Sequence, residues 1–147
     1  MNVNEPDNKV QMVVESPAVQ THLSIIQNVI QRMASNSASC KTWCVTLVSA
    51  ILVVVIDKDK SAYLLLALLP IVVFLILDVY YLSMEKGFRN SYNDFISKLA
   101  RGTIHDIDLY SVLPTGEKLK IESLRSYSIL GFYFPLMIVV LIASILL

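Results

Sequence analysis

Residues 62–84 read AYLLLALLPIVVFLILDVYYLSM, a run with no charged side chain before Asp78. A hydrocarbon core about 30 Å thick is crossed by about 20 largely apolar helical residues, so this run is long enough to span a bilayer. Two further segments approach that length: CKTWCVTLVSAILVVVI at 40–56 and YSILGFYFPLMIVVLIASILL at 127–147. The first is the shortest and needs its flank from Ser37 to Lys41 to complete a crossing. Only DKDKS, Asp57 to Ser61, separates the first two spans, enough for a turn and nothing more. They are therefore expected to form an antiparallel hairpin. With 55% hydrophobic residues and a mean hydropathy of +0.61, the composition fits a membrane protein better than a small soluble domain.

The same composition excludes several function classes. Twelve Lys and Arg balance twelve Asp and Glu, leaving no basic stripe to neutralise phosphates, so nucleic acid is not an expected partner. Cys40 and Cys44 lie one helical turn apart without the companion ligands a zinc site needs, and no metal or cofactor is expected. His22 and His105 have no nucleophile at telling spacing, and Asp106 and Asp108 read as solvated loop carboxylates. No catalytic residue, and no enzyme, is expected. The first apolar run starts near residue 42, too far in for a signal peptide, so the N-terminus is expected to be retained.

Charge sets the expected orientation. Lys9, Arg32 and Lys41 precede the first span, Lys58 and Lys60 occupy the turn, and seven Lys and Arg lie from Lys86 to Arg125. The positive-inside rule places the N-terminus and the 85–126 segment in the cytoplasm, with Leu147 on the opposite side. Trp43, Tyr80, Tyr81, Tyr127 and Tyr133 fall near span ends, where aromatic rings favour the headgroup level. Pro70 and Pro135 lie inside spans and can kink their helices.

In a hairpin turning near Asp59 and Lys60, positions whose numbers sum to about 119 share one depth, because both arms rise 1.5 Å per residue. Asp78 then meets Lys41. An ionised group at a span centre costs roughly 2.5–3.5 kcal/mol on insertion scales, and a partner near the interface reduces this. Trp43 and Tyr81 are alternative donors. Asp78 reads either as a register lock between adjacent helices or as one of a ring of carboxylates around an oligomeric pore.

The pairing extends beyond the membrane. Before the first span, Ser16 offers an N-cap, Pro17 a first helical residue, and Val19, Leu23, Ile26, Ile30 and Met33 one apolar stripe of an amphipathic helix over 16–36. After the second span, Met84, Phe88, Tyr92, Phe95 and Leu99 form a matching stripe that ends at Gly102, suited to a C′ cap. This helix is expected to continue the second span unless Gly87 bends it. The same register brings Ile30 near Phe88 and Arg89, and Arg32 near Glu85 as a second ion pair. The chain then divides into a mobile tail at 1–15, the amphipathic helix at 16–36, the transmembrane hairpin and its cytoplasmic extension at 37–101, a cytoplasmic segment at 102–126, and the third span at 127–147. Short alternating runs around Pro114 to Gly116 fit a small β-hairpin at 105–122 or a capped loop equally well. On the first span, Thr42, Thr46 and Ser49 make one hydroxylated face, which reads as a pore lining or as a helix–helix interface.

The segments RMASNSASCKTWCVTLV (32–48) and LDVYYLSMEKGFRNSYNDF (77–95) carry a recognisable pattern. It includes Lys-x-Trp opening a span, Asp-x-Tyr-Tyr-Leu closing the next, and Glu-Lys-x-Phe-Arg-x-x-Tyr after it. Over residues 17 to 101 the chain resembles the RipA-family octameric membrane proteins and, more loosely, the two-span SLATT effectors of bacterial anti-phage defence. The third span departs from the two-span plan. The resemblance implies a homo-oligomeric ring in the bacterial inner membrane, and for the defence relatives a pore that permeabilises an infected cell (abortive infection) in answer to a phage-encoded or host protein trigger. Lys41, Trp43, Asp78 and Arg89 occupy its signature positions. Together these readings point to an all-α, multi-pass membrane protein that partners itself and membrane lipid and acts as a pore. The rival reading is a non-conducting anchor or scaffold that recruits a cytoplasmic protein.

Overall fold

The structure, a computed structural model, describes residues 16–57 and 66–146. The expected N-terminal tail at 1–15, and all but Asp57 of the expected bend, lie outside the described residues. The described residues form five helices: α1 (Pro17–Asp57), α2 (Leu68–Arg101), α3 (Asp106–Leu109), α4 (Leu119–Leu124) and α5 (Tyr127–Leu146). Three of them are long and apolar enough to cross a membrane, over Pro17–Val55, Leu68–Arg101 and Tyr127–Ile145. The protein is an all-helical membrane protein among the described residues.

The first amphipathic segment and the first span are one uninterrupted helix. α1 begins where Ser16 and Pro17 place it: the Ser16 carbonyl accepts from the Gln20 amide at 3.1 Å, and proline at the first position lacks only a donor that no helix start can use. α2 likewise runs through Gly87 without interruption. Pro70 falls in the first turn of α2, not in its interior, so its missing N–H breaks nothing there. The end of α2 is set by Gly102 at φ +67: its amide donates to Leu99 and that of Thr103 to Lys98, the paired closure of a Schellman motif. Pro135 does lie inside its helix, α5.

The chain divides into two compact units. The first comprises residues 16–32 and 84–117. Here the two helices run antiparallel, with Gln27 bonded to Tyr92 at 3.1 Å and the His22 ring on Phe95 with centroids 4.4 Å apart. Val19, Phe95 and Leu99 form its core, with Leu23, Ile104 and Leu109 packed around them. Ile26 and Phe88 are also buried, whereas Ile30 and Tyr92 are half-buried at the groove side of the stripe.

Residues 102–117 lie along this helix pair as a strap. No strand occurs among the described residues, and the β-hairpin alternative at 105–122 is replaced by α3, an irregular stretch and the start of α4. The reason lies in where the backbone groups find partners. The Thr115 amide donates to the Gly87 carbonyl at 3.1 Å, Asn90 donates to the Thr115 carbonyl at 3.1 Å, and the Ser91 hydroxyl donates to the Leu113 carbonyl. Groups that a hairpin would pair with each other are paired with α2 instead.

The second unit comprises residues 33–57, 66–83 and 118–146. Its core joins Cys44 and Val48 of α1, Ala67 and Ile71 at the start of α2, and Ile129, Tyr133 and Val140 of α5. Steps of four and seven residues along α1 and α5 keep each set on one helix face.

Candidate functional site: a buried ion pair and an outward hydroxyl face

Asp78 is wholly inaccessible to solvent in the second unit. A carboxylate in that position needs compensation, since desolvating a charge without partners costs several kcal/mol. Two side chains of α1, one turn apart, supply it. Lys41 Nζ lies 2.6 Å from Oδ2, and the Ser37 hydroxyl donates to Oδ1 at 2.5 Å. The ammonium also donates to the Ser37 oxygen at 3.3 Å, closing a three-membered network. Oδ2 meets the ammonium as an ion contact outside good hydrogen-bond angles, so attraction between charges, not a directed bond, holds that side. The third span closes the site: the Tyr133 hydroxyl donates to the Phe74 carbonyl at 3.2 Å and lies within electrostatic reach of Asp78, Cys40 and Cys44.

Lys41 thus lies beside Asp78, while Trp43 and Tyr81 do not supply the donor. Trp43 is 59% exposed and Tyr80 is 47% exposed, both outward from the core, and Tyr81 is half-buried. Ser37 takes the donor role. Its signal was its place four residues before Lys41, which puts both on one helix face. Tyr133 had no comparable signal, because which face of a third apolar span turns inward is not marked by periodicity when most of the span is apolar.

The proposed second pair does not form. Glu85 bonds to Arg89 Nε at 2.9 Å, one turn along α2, and Arg32 is exposed. A neighbour at i+4 on a rigid helix is always within reach, which a partner on another helix is not. His22, which has no nucleophile beside it in sequence, is buried at 3% exposure and donates from Nδ1 to the Leu109 carbonyl at 2.9 Å, fastening the strap. Asp108 does not stand free in solvent: it accepts from Lys98 at 3.0 Å and from the His105 amide at 3.0 Å. The His105 amide and then Lys98 hold the Asp108 carboxyl below the usual range, and Lys98, bonded first to Asp108 and then to Asp94, is pushed up.

Thr42, Thr46 and Ser49 are all exposed. At about 100° per residue they lie opposite Cys44, Val48 and Val55, the buried face of α1. Thr42 and Thr46 bond back to the Ala38 and Thr42 carbonyls at 3.3 and 2.9 Å, so two of these hydroxyls are satisfied without water. Comparison with protein-family models, with curated proteins and with solved structures returns no match.

Proposed function

We propose that this chain is the subunit of a homo-oligomeric, pore-forming protein of the bacterial inner membrane, with the hydroxyl face of α1 turned to the pore. The observation that carries the reading is the outward position of Thr42, Thr46 and Ser49, directly away from the chain's own packing face. Hydroxyls gain nothing from lipid but tolerate both water and a close helix neighbour. The spans also leave most of their surface uncovered: in an apolar 18-residue stretch of each, only 22%, 17% and 17% of the residues are buried within the chain. That surface is available to lipid and to further copies.

The full enclosure of Asp78 with Lys41 and Ser37 favours the register lock over a carboxylate ring. In this reading α1 and α2 form one hairpin whose loop faces the periplasm. The N-terminus and the first unit lie in the cytoplasm and the C-terminus in the periplasm, in accord with the distribution of Lys and Arg. The likeness of 32–48 and 77–95 to ring-forming and defence-associated membrane proteins supports permeabilisation of an infected cell as the occasion for opening, with a phage-encoded or host protein as trigger.

Induced expression in bacteria, followed by entry of an impermeant dye and by membrane potential, tests the reading. Dye entry and depolarisation are expected once the protein is triggered or over-expressed. A membrane that stays sealed while the protein accumulates in it removes the pore. The non-conducting anchor is then the surviving account, and one feature favours it: Ile107, Tyr110 and Leu113 of the strap are 76%, 88% and 67% exposed, apolar surface of the kind a protein partner covers.

A further inference from the structure

We infer that the elbow between α4 and α5 is a binding site for anionic phospholipid headgroups, with Lys118, Lys120 and Arg125 as the cations that recognise them. α4 spans only Leu119–Leu124, yet its two sides differ sharply. Ser123 is fully buried and Leu119 half-buried on one side, while Lys120, Ile121, Leu124 and Arg125 are exposed within an arc of ~140° on the other. Glu122 falls outside that arc. Lys118, held at φ 60 by the turn before the helix, is exposed at its start. Tyr127, the first residue of α5, is 91% exposed where the third span begins.

Two features identify the occupant. The first is charge: none of the three cations enters an ion pair among the described residues, so no carboxylate of those residues competes with an external anion for them. The second is continuity with the membrane, because only two residues separate α4 from α5 and α5 is the most apolar of the three spans. An exposed face that mixes Ile121, Leu124 and Tyr127 with cations suits neither water nor hydrocarbon alone. It suits the boundary between headgroups and acyl chains, where apolar side chains dip inward and Lys and Arg reach back to phosphate. The inference rests on the membrane reading and not on the pore.

The full-length protein in detergent, mixed with equal amounts of phosphatidylglycerol and phosphatidylcholine of identical acyl chains, is read by native mass spectrometry for lipid retained. Retention of phosphatidylglycerol is expected to exceed that of phosphatidylcholine by tenfold or more, since each cation near a headgroup contributes about fivefold. The triple variant Lys118→Gln, Lys120→Gln, Arg125→Gln is expected to retain the two lipids within about twofold of each other. Arg101→Gln, in the first unit, keeps the preference, as does the charge-conserving variant Lys118→Arg, Lys120→Arg, Arg125→Lys. An indifferent wild type, or a triple variant that still prefers phosphatidylglycerol, overturns the assignment. Should the triple variant lose its helical spectrum, salt decides on the wild type: a preference that fades on raising salt from ~0.05 M to ~0.5 M supports headgroup binding, and one that does not overturns it. Dye entry that persists while the lipid preference is absent sinks this inference alone, and the reverse result sinks the pore alone.

Discussion

Asp78 is the residue on which the membrane-embedded packing turns, because its charge is enclosed and its partners come from another helix. Removing one member of a buried pair leaves the other uncompensated, typically at about 3–5 kcal/mol, whereas removing both charges is far less damaging. Asp78→Asn and Lys41→Gln are therefore each expected to destabilise the protein strongly, and the double variant to recover much of the loss. Unfolding of the full chain in mixed micelles, followed by circular dichroism, measures this. Additive losses in the double variant would show that the two charges act independently. Ser37→Ala leaves Oδ1 without its donor and is expected to cost about 1–3 kcal/mol, less than loss of the ammonium. A Ser37→Ala protein as stable as wild type would reduce that hydroxyl to a bystander.

At the scale of elements, the strap is held to the helix pair of the first unit by side chains drawn from both α1 and α2. Its titration can be worked out from Lys98 and Asp108. The Asp108 carboxyl is held below its ordinary range, so its contribution is present above about pH 4 and is lost as the pH falls through the depressed value. Lys98 is raised, so its contribution is present below about pH 10 and is lost only as the pH rises beyond the raised value. Protection of the Thr115 amide against hydrogen exchange, which reports on its bond to Gly87, is expected to be flat between those limits and to fall in acid. Asp108→Asn should remove the acid-dependent part. Protection that rises on acidification contradicts the assignment. Both side chains keep some contact with water, which screens the pair, so the change is modest. His22→Phe offers a second test, since it keeps the ring on Phe95 but removes the donor to Leu109. The strap is expected to loosen in that variant, by an increment of about 1 kcal/mol.

Much of this was legible in the order of residues, for physical reasons that also mark where reading stops. A bilayer imposes length, so α1, α2 and α5 stand out as spans. A fixed rise per residue imposes register, so Lys41 comes within reach of Asp78. Caps are local, and Ser16, Pro17 and Gly102 fulfil theirs. What sequence did not disclose depends on contacts between segments without a shared period. The strap's backbone partners on α2, the burial of His22 and the inward face of α5 are set by tertiary packing, and the Glu85 partner was misassigned because an intrahelical rival was closer.

At the scale of the whole molecule, the question is which surface meets water when copies assemble. Thr46 lies at the middle of the hydroxyl face, opposite the packed face of α1, whereas Val72 is a half-exposed apolar residue on α2. With Cys40 and Cys44 replaced by alanine, a single cysteine at either position can be offered a membrane-impermeant cationic methanethiosulfonate, which reacts with thiols that contact water. Buried in lipid, a thiol stays protonated and out of reach. Thr46→Cys is expected to react and, by placing a fixed positive charge in the conduit, to stop dye entry; Val72→Cys is expected to do neither. Thr42→Val, Thr46→Val and Ser49→Ala together keep helix volume but remove the hydroxyls that water can use, and are expected to abolish dye entry while the oligomer keeps its mass in nanodiscs. If instead the triple replacement dissolves the oligomer and no cysteine on that face reacts, the hydroxyl stripe is a dry contact between subunits, and the path for ions, if one forms, lies along another helix.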